Sequence, residues 1–153
     1  MVEFDAANGD RYVDKSAWAL GPWQDEPDRV EWRYRGMPCL IVRGGGGAPG
    51  GYVGLPPGHP GHGKDYDEDP NWDYRCHGGL TFASACQEGG KICHVPAPGE
   101  PADVWWLGFD CSHSGDLRPG DTQYANGPHG HLFRGDPGEV ERLADQVIAT
   151  SAP

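Results

Sequence analysis

Val30, Trp32 and Tyr34 alternate with Glu31, Arg33 and Arg35. This period of two is the pattern of a strand with one buried face. Gly36 interrupts the run, and residues 37–43 follow with Cys39-Leu40-Ile41-Val42 as a continuously apolar core, the mark of a more central strand. Shorter strand-like runs recur at residues 52–55, 80–82, 91–95 and 104–109, separated by connections rich in Gly and Pro. Helical periodicity is clear only near the C-terminus. There Asp136 suits a cap, Pro137 the first helical position, and Glu139 completes a capping-box-like pattern. Val140, Leu143, Ala144, Val147 and Ile148 then form one apolar stripe at i, i+3, i+4, i+7 and i+8 spacing. The pattern predicts an α+β domain. It would hold a mixed or mainly antiparallel sheet of about five to seven short strands, long Gly/Pro loops, and a C-terminal amphipathic helix packed on one face.

Residues 1–29 carry no such pattern. They read as an N-terminal extended segment, Pro-punctuated at Pro22 and Pro27 and packed on the domain by Trp18 and Trp23, with a short helix conceivable over residues 12–20. Residues 30–150 read as the single domain.

Composition changes the picture in three ways. Gly (25) and Pro (15) exceed a quarter of the 153 residues, a level that raises the question of disorder. Six Trp, six Tyr and four Phe answer it, since disordered chains are poor in aromatics. A formal charge of -11 argues against general nucleic-acid binding and against anionic membrane surfaces. Finally, no apolar run approaches the roughly 20 residues of a membrane span. Residues 1–19 also lack the apolar centre of a secretory signal and carry Glu3 and Asp5 where it would be basic. A cytoplasmic protein is expected. Its five cysteines (Cys39, Cys76, Cys86, Cys93, Cys111) are then expected as thiols, buried apolar residues or metal ligands, and an odd count fits poorly with a closed disulfide framework.

Candidate chemistry gathers where strands give way to loops. Gly45, Gly47 and Gly50 match the letters G-x-G-x-x-G. The dinucleotide fingerprint requires a helix next, and a strand-like run follows instead, so the stretch reads as a connection. Asp65, Asp67 and Asp69 have the opening spacing of an EF-hand, but Pro70 stands where that loop needs Gly, and Cys76 where it needs Glu. The richest stretch is residues 105–116, where Trp105-Trp106-Leu107-Gly108-Phe109 ends abruptly in Asp110, Cys111, His113 and Asp116. A rigid strand delivering reactive groups to an accessible loop is a common way to build a site.

Three chemistries compete for these residues. In the first, His77, Asp110 and His113 bind a divalent metal, zinc foremost, which lowers the pKa of a bound water; Asp116 or Asp65 acts as base or orients a ligand. His59, Tyr66 and Thr81 are the candidate ligand-binding residues around it. In the second, Cys111 is a nucleophile held as thiolate by His113 or His77; the competing reading is a buried core thiol. In the third, the same side chains form a polar pocket that binds without turnover, or simply cap the loop by hydrogen bonds. His129-Gly130-His131, with no second cluster beside it, reads as surface loop, and Ser112 and Ser114 lack the G-x-S-x-G elbow.

The blocks Gly58-His59-Pro60, Lys64-Asp65-Tyr66, His77-Gly78-Gly79-Leu80-Thr81-Phe82 and Gly108-Phe109-Asp110-Cys111-Ser112-His113-Ser114-Gly115-Asp116, with Gly21-Pro22-Trp23 and Gly51-Tyr52-Val53-Gly54, resemble a family of small uncharacterised proteins of bacteria, especially actinobacteria, and of their bacteriophages. The resemblance runs from about residue 21 to the terminal helix. It implies no particular activity. It does imply that the loops carrying His59, Asp65, His77 and 110–116 belong to one site. The leading expectation is a metal-dependent hydrolase acting on a small polar or phosphorylated metabolite. The alternative is a phage-related binding module that sequesters a nucleotide or binds a host protein.

Overall fold

The computed structural model describes residues 29–43, 49–76, 79–86, 92–110 and 137–151. The expectations for residues 1–28, for Cys111, and for His129 and His131 lie outside the described residues. Five strands form one sheet: β1 (Arg29–Tyr34), β2 (Met37–Arg43), β3 (Pro49–Leu55), β4 (Phe82–Ala85) and β5 (Trp105–Asp110). The order is β1-β2-β3-β5-β4, and every neighbouring pair is antiparallel. One α-helix among the described residues, α1 (Pro137–Ser151), completes the α+β fold, with one turn of 3-10 helix at Asn71–Asp73.

The alternation in β1 works as the sequence implies. Val30 and Trp32 are buried while Glu31 and Arg33 lie on the other face. Arg35 and Gly36 make the two-residue turn into β2, both with positive φ (51° and 85°). Such a turn matches the twist of the flanking strands, and Gly suits its second position because it has no Cβ to clash.

One face of the sheet carries Val30, Trp32, Cys39, Ile41, Val53, Leu55, Leu107 and Phe109, packed against Val140, Leu143, Ala144 and Val147 of α1. The helical stripe is therefore the core contact. Gly51 allows the close approach: a Cβ there would lie 2.7 Å from both Phe109 Cζ and Val140 Cγ2. The start of α1 thus lies over the Gly51–Phe109 end of the sheet. Two polar links add direction, Trp32 Nε1 donating to Glu141 (3.2 Å) and the Tyr34 hydroxyl to Asp145 (3.2 Å).

The opposite face has a smaller core of Leu40, Val104 and Trp106, with Val42, Tyr52, Phe82 and Ile92 against it. Residues 92–104 cover this face. Lys91 to Val95 reads as strand from sequence, yet residues 92–95 form none. They are held by side chains instead: Arg29 donates to the Cys93 carbonyl, and Arg33 to the Val95 carbonyl (3.2 Å) and to both oxygens of Glu100 (2.9 and 3.0 Å). The expectation of free thiols also needs correction. Cys86, just beyond the edge strand β4, is disulfide-bonded to Cys93, because the fold brings their Cα atoms to 5.0 Å. Cys39 and Cys76 are free thiols.

Candidate functional site

Leu55 ends β3 opposite Trp105, the first residue of β5, whereas Gly50 pairs with Asp110 at its last. The loop leaving β3 therefore starts at one end of β5, and Asp110 stands at the other. At about 3.4 Å per residue the two ends lie roughly 17 Å apart.

The loop of residues 56–73 stays at the Trp105 end. The Trp105 indole N–H donates to the Lys64 carbonyl (2.8 Å), and His62 Nε2 meets the Asp103 carbonyl (3.2 Å). At its centre, the buried Asn71 amide donates to the carbonyls of Gly61, Lys64 and Asp65 (3.1, 3.0 and 3.2 Å). His59 is 6% exposed. Its Nδ1 accepts from the Gly61 N–H (2.9 Å), so Nε2 carries the proton and donates to the Val147 carbonyl of α1 (2.8 Å). Both ring nitrogens are used, which leaves none for a metal or ligand. Asp65 and Tyr66 are exposed, and the Asp65 carboxylate accepts from the Tyr66 N–H (2.8 Å).

A different set of segments converges at the Asp110 end. Phe82 pairs with Gly108, and the Thr81 N–H donates to the Gly108 carbonyl (2.9 Å), so the chain arriving from His77 runs beside the last residues of β5. Thr81 itself is exposed there. Upstream, Arg75 is bound on both sides of its backbone by Gln146, through Arg75 N–H to Oε1 and Nε2 to the Arg75 carbonyl (2.7 Å each). Cys76 then turns back through the Gly79 N–H to Cys76 carbonyl bond (3.0 Å). The start of α1 closes the same corner through Val140. His77, His113 and Asp116 lie outside the described residues, as does the Asp110 side chain. Among the described residues no group of three His, Cys, Asp or Glu side chains is arranged to hold a metal ion.

The sequence-derived grouping of His59 and Asp65 with Asp110 is therefore divided between two ends of the sheet. The described chain just after His77 runs beside the Asp110 end of β5, and the 56–73 loop does not. Thiol chemistry is also weak at the described cysteines. Burial pushes Cys39 up to about 12, with Glu141 adding to the effect, and burial pushes Cys76 up to about 12, with Glu139 adding. Both are protonated and poorly nucleophilic at neutral pH.

No family model, curated protein or solved structure matches the chain.

Functional weight therefore rests on geometry. Sequence reasoning overlooked Asn71, which organises the 56–73 loop, and Gln146, which clamps Arg75. Neither carries a local signal, because an amide side chain reads as surface until its carbonyl partners are known. It also overlooked the pair Arg33 and Glu100, which anchors residues 92–104. No described helix is long and apolar enough to cross a membrane.

Proposed function

We propose that the chain is a metal-dependent hydrolase whose site lies at the corner where β5 ends at Asp110. His77, Asp110 and His113 are the metal ligands in this reading, with zinc the leading ion, and Asp116 is the base or the residue that orients a ligand. The substrate is a small polar or phosphorylated metabolite. The bound metal would supply a hydroxide nucleophile near neutral pH. The observation that supports the reading is the β4–β5 register: it carries the chain that has just left His77 alongside the end of β5. Asp65 and His59 drop out of the site because their loop belongs to the other end.

Elemental analysis of the purified protein tests this directly. One equivalent of metal, retained in Asp65→Ala and lost in His77→Ala and His113→Ala, together with chelator-sensitive hydrolysis of phosphomonoesters, is the expected result. Substoichiometric metal unchanged by His113→Ala would overturn it. Nucleotide-induced thermal stabilisation without turnover, indifferent to chelators, would favour a binding module instead.

A further inference from the structure

A groove of about 370 Å³ runs along α1 between Arg75, Cys76, Glu139, Arg142 and Gln146. It extends from Gln146 toward the first turn of the helix, and Cys76, at its wall, immediately precedes His77. Its Glu139 end lies next to Val140, which packs over the Gly51–Phe109 end of the sheet, the end where β5 reaches Asp110. We propose that this groove is the anion subsite of that site and holds the phosphoryl group of the substrate, with Arg75 as principal donor and Arg142 as second. The inference rests on the preceding reading for its place in a reaction, but not for its binding chemistry.

Three observations carry it. The first is charge. In a chain of formal charge -11, two guanidinium groups and one carboxylate line this groove. The second is preorganisation. Gln146 holds the Arg75 backbone at both its N–H and its carbonyl, and Gln146 Nε2 also reaches the Arg142 carbonyl (3.3 Å). Arg75 thus projects from a fixed main chain, which lowers the ordering cost of binding. Among the described residues no carboxylate pairs with its guanidinium. The third is the state of Arg142, which is ion-paired with Glu139 one helical turn away. Glu139 therefore competes with any anion for Arg142. Planar guanidinium donors match phosphate oxygens in pairs, and the volume falls within the range of small-molecule sites.

The test is calorimetric titration of the full chain with phenyl phosphate at fixed ionic strength, with sodium chloride as control. Metal content is measured on the same samples. Saturable binding is expected, weakened about tenfold in Arg75→Gln, the loss of roughly one charge-assisted contact. Glu139→Gln should tighten binding several-fold by removing the one carboxylate that lines the groove and repels an anion there, a gain that a disturbed fold would not produce. Binding that is absent in the wild type, or equal in the wild type and the Arg75→Gln/Arg142→Gln double variant, overturns the proposal. Phosphate binding that needs Arg75 in a protein containing no metal upholds the subsite while refuting the metal site. Metal retained with binding indifferent to both arginines does the reverse.

Discussion

His59 lies in one of the most histidine-rich loops of the chain, and its substitution separates structure from ligation. The variant His59→Ala removes the acceptor for the Gly61 N–H and the donor to the Val147 carbonyl, both in a setting only 6% exposed. A buried donor left without a partner costs about 1–3 kcal/mol. The Val147 carbonyl costs less, since it lies within α1 and a carbonyl has two lone pairs. The void left by the imidazole adds to this. A total of about 2–4 kcal/mol is expected, or a melting temperature lower by about 5–15 °C for a domain of this size. His59→Asn should fall between, because its short amide oxygen can still accept from Gly61 while the reach to Val147 is lost. His62→Ala is the control. His62 is only partly buried; it meets the Asp103 carbonyl, lies 3.7 Å from the Asp103 carboxylate and packs its ring near Trp105, all at the surface, so a loss of no more than about 1 kcal/mol, smaller than that of His59→Ala, is expected. Urea denaturation of the three variants measures the order, with metal content determined in parallel. If His59→Ala unfolds at the wild-type midpoint, or loses metal without losing stability, the structural assignment of His59 is refuted.

Two further outcomes follow from the opposite face of the sheet. In Gly108→Ala the new Cβ would lie 2.2 Å from Tyr52 Cδ1 and 2.8 Å from the Gly51 carbonyl oxygen, so Tyr52 must leave its edge-on contact with Phe82; a loss of about 1–3 kcal/mol in urea unfolding is expected, and an unchanged midpoint would contradict the packing. Hydrogen bonds from Arg33, then from the Ala97 N–H, hold the Glu100 carboxyl at about 2, below its ordinary 4.5. A carboxyl depressed in the folded state stabilises fully above its unfolded value and loses that contribution as pH falls toward its folded one. The stability difference between wild type and Glu100→Gln should therefore be constant above about pH 5 and shrink between pH 4.5 and 2; a difference independent of pH across that window would show that the ion pair does not anchor residues 92–104.

Much of the fold is legible in the sequence because its signals are local. Alternation at Val30, Trp32 and Tyr34, the break at Gly36, and the stripe from Val140 to Val147 each depend on a few neighbouring residues and on one buried face. Residues 92–95 mislead for the same reason. Ile92 packs against the Leu40, Val104 and Trp106 cluster as part of the covering segment, and apolarity alone does not distinguish that burial from pairing in a ladder. The Cys86–Cys93 bond is local, closing a separation of only seven residues, but spacing alone does not distinguish a bonded pair from two thiols, and the odd count of five cysteines points away from it.

The grouping of the candidate residues is the sharper case, because it turns on topology. Loop chemistry can be read residue by residue, but which loops share an end of the sheet is set by strand order and direction. β3 and β5 are antiparallel neighbours, so the loop leaving β3 must begin where β5 begins, and whatever follows Asp110 must leave from the far end. For His59 or Asp65 to join Asp110, their loop would have to run back about 17 Å along the sheet. Asn71, Trp105 and the bond from His59 to Val147 hold it at the near end instead. β4 has the opposite consequence. Pairing antiparallel to β5 on its other side, it requires the chain entering from His77 to arrive at the Asp110 end. The same two registers that exclude the His59 loop therefore bring the His77 loop in, and substitutions in the two loops should affect different properties: stability for the first, metal or phosphate binding for the second.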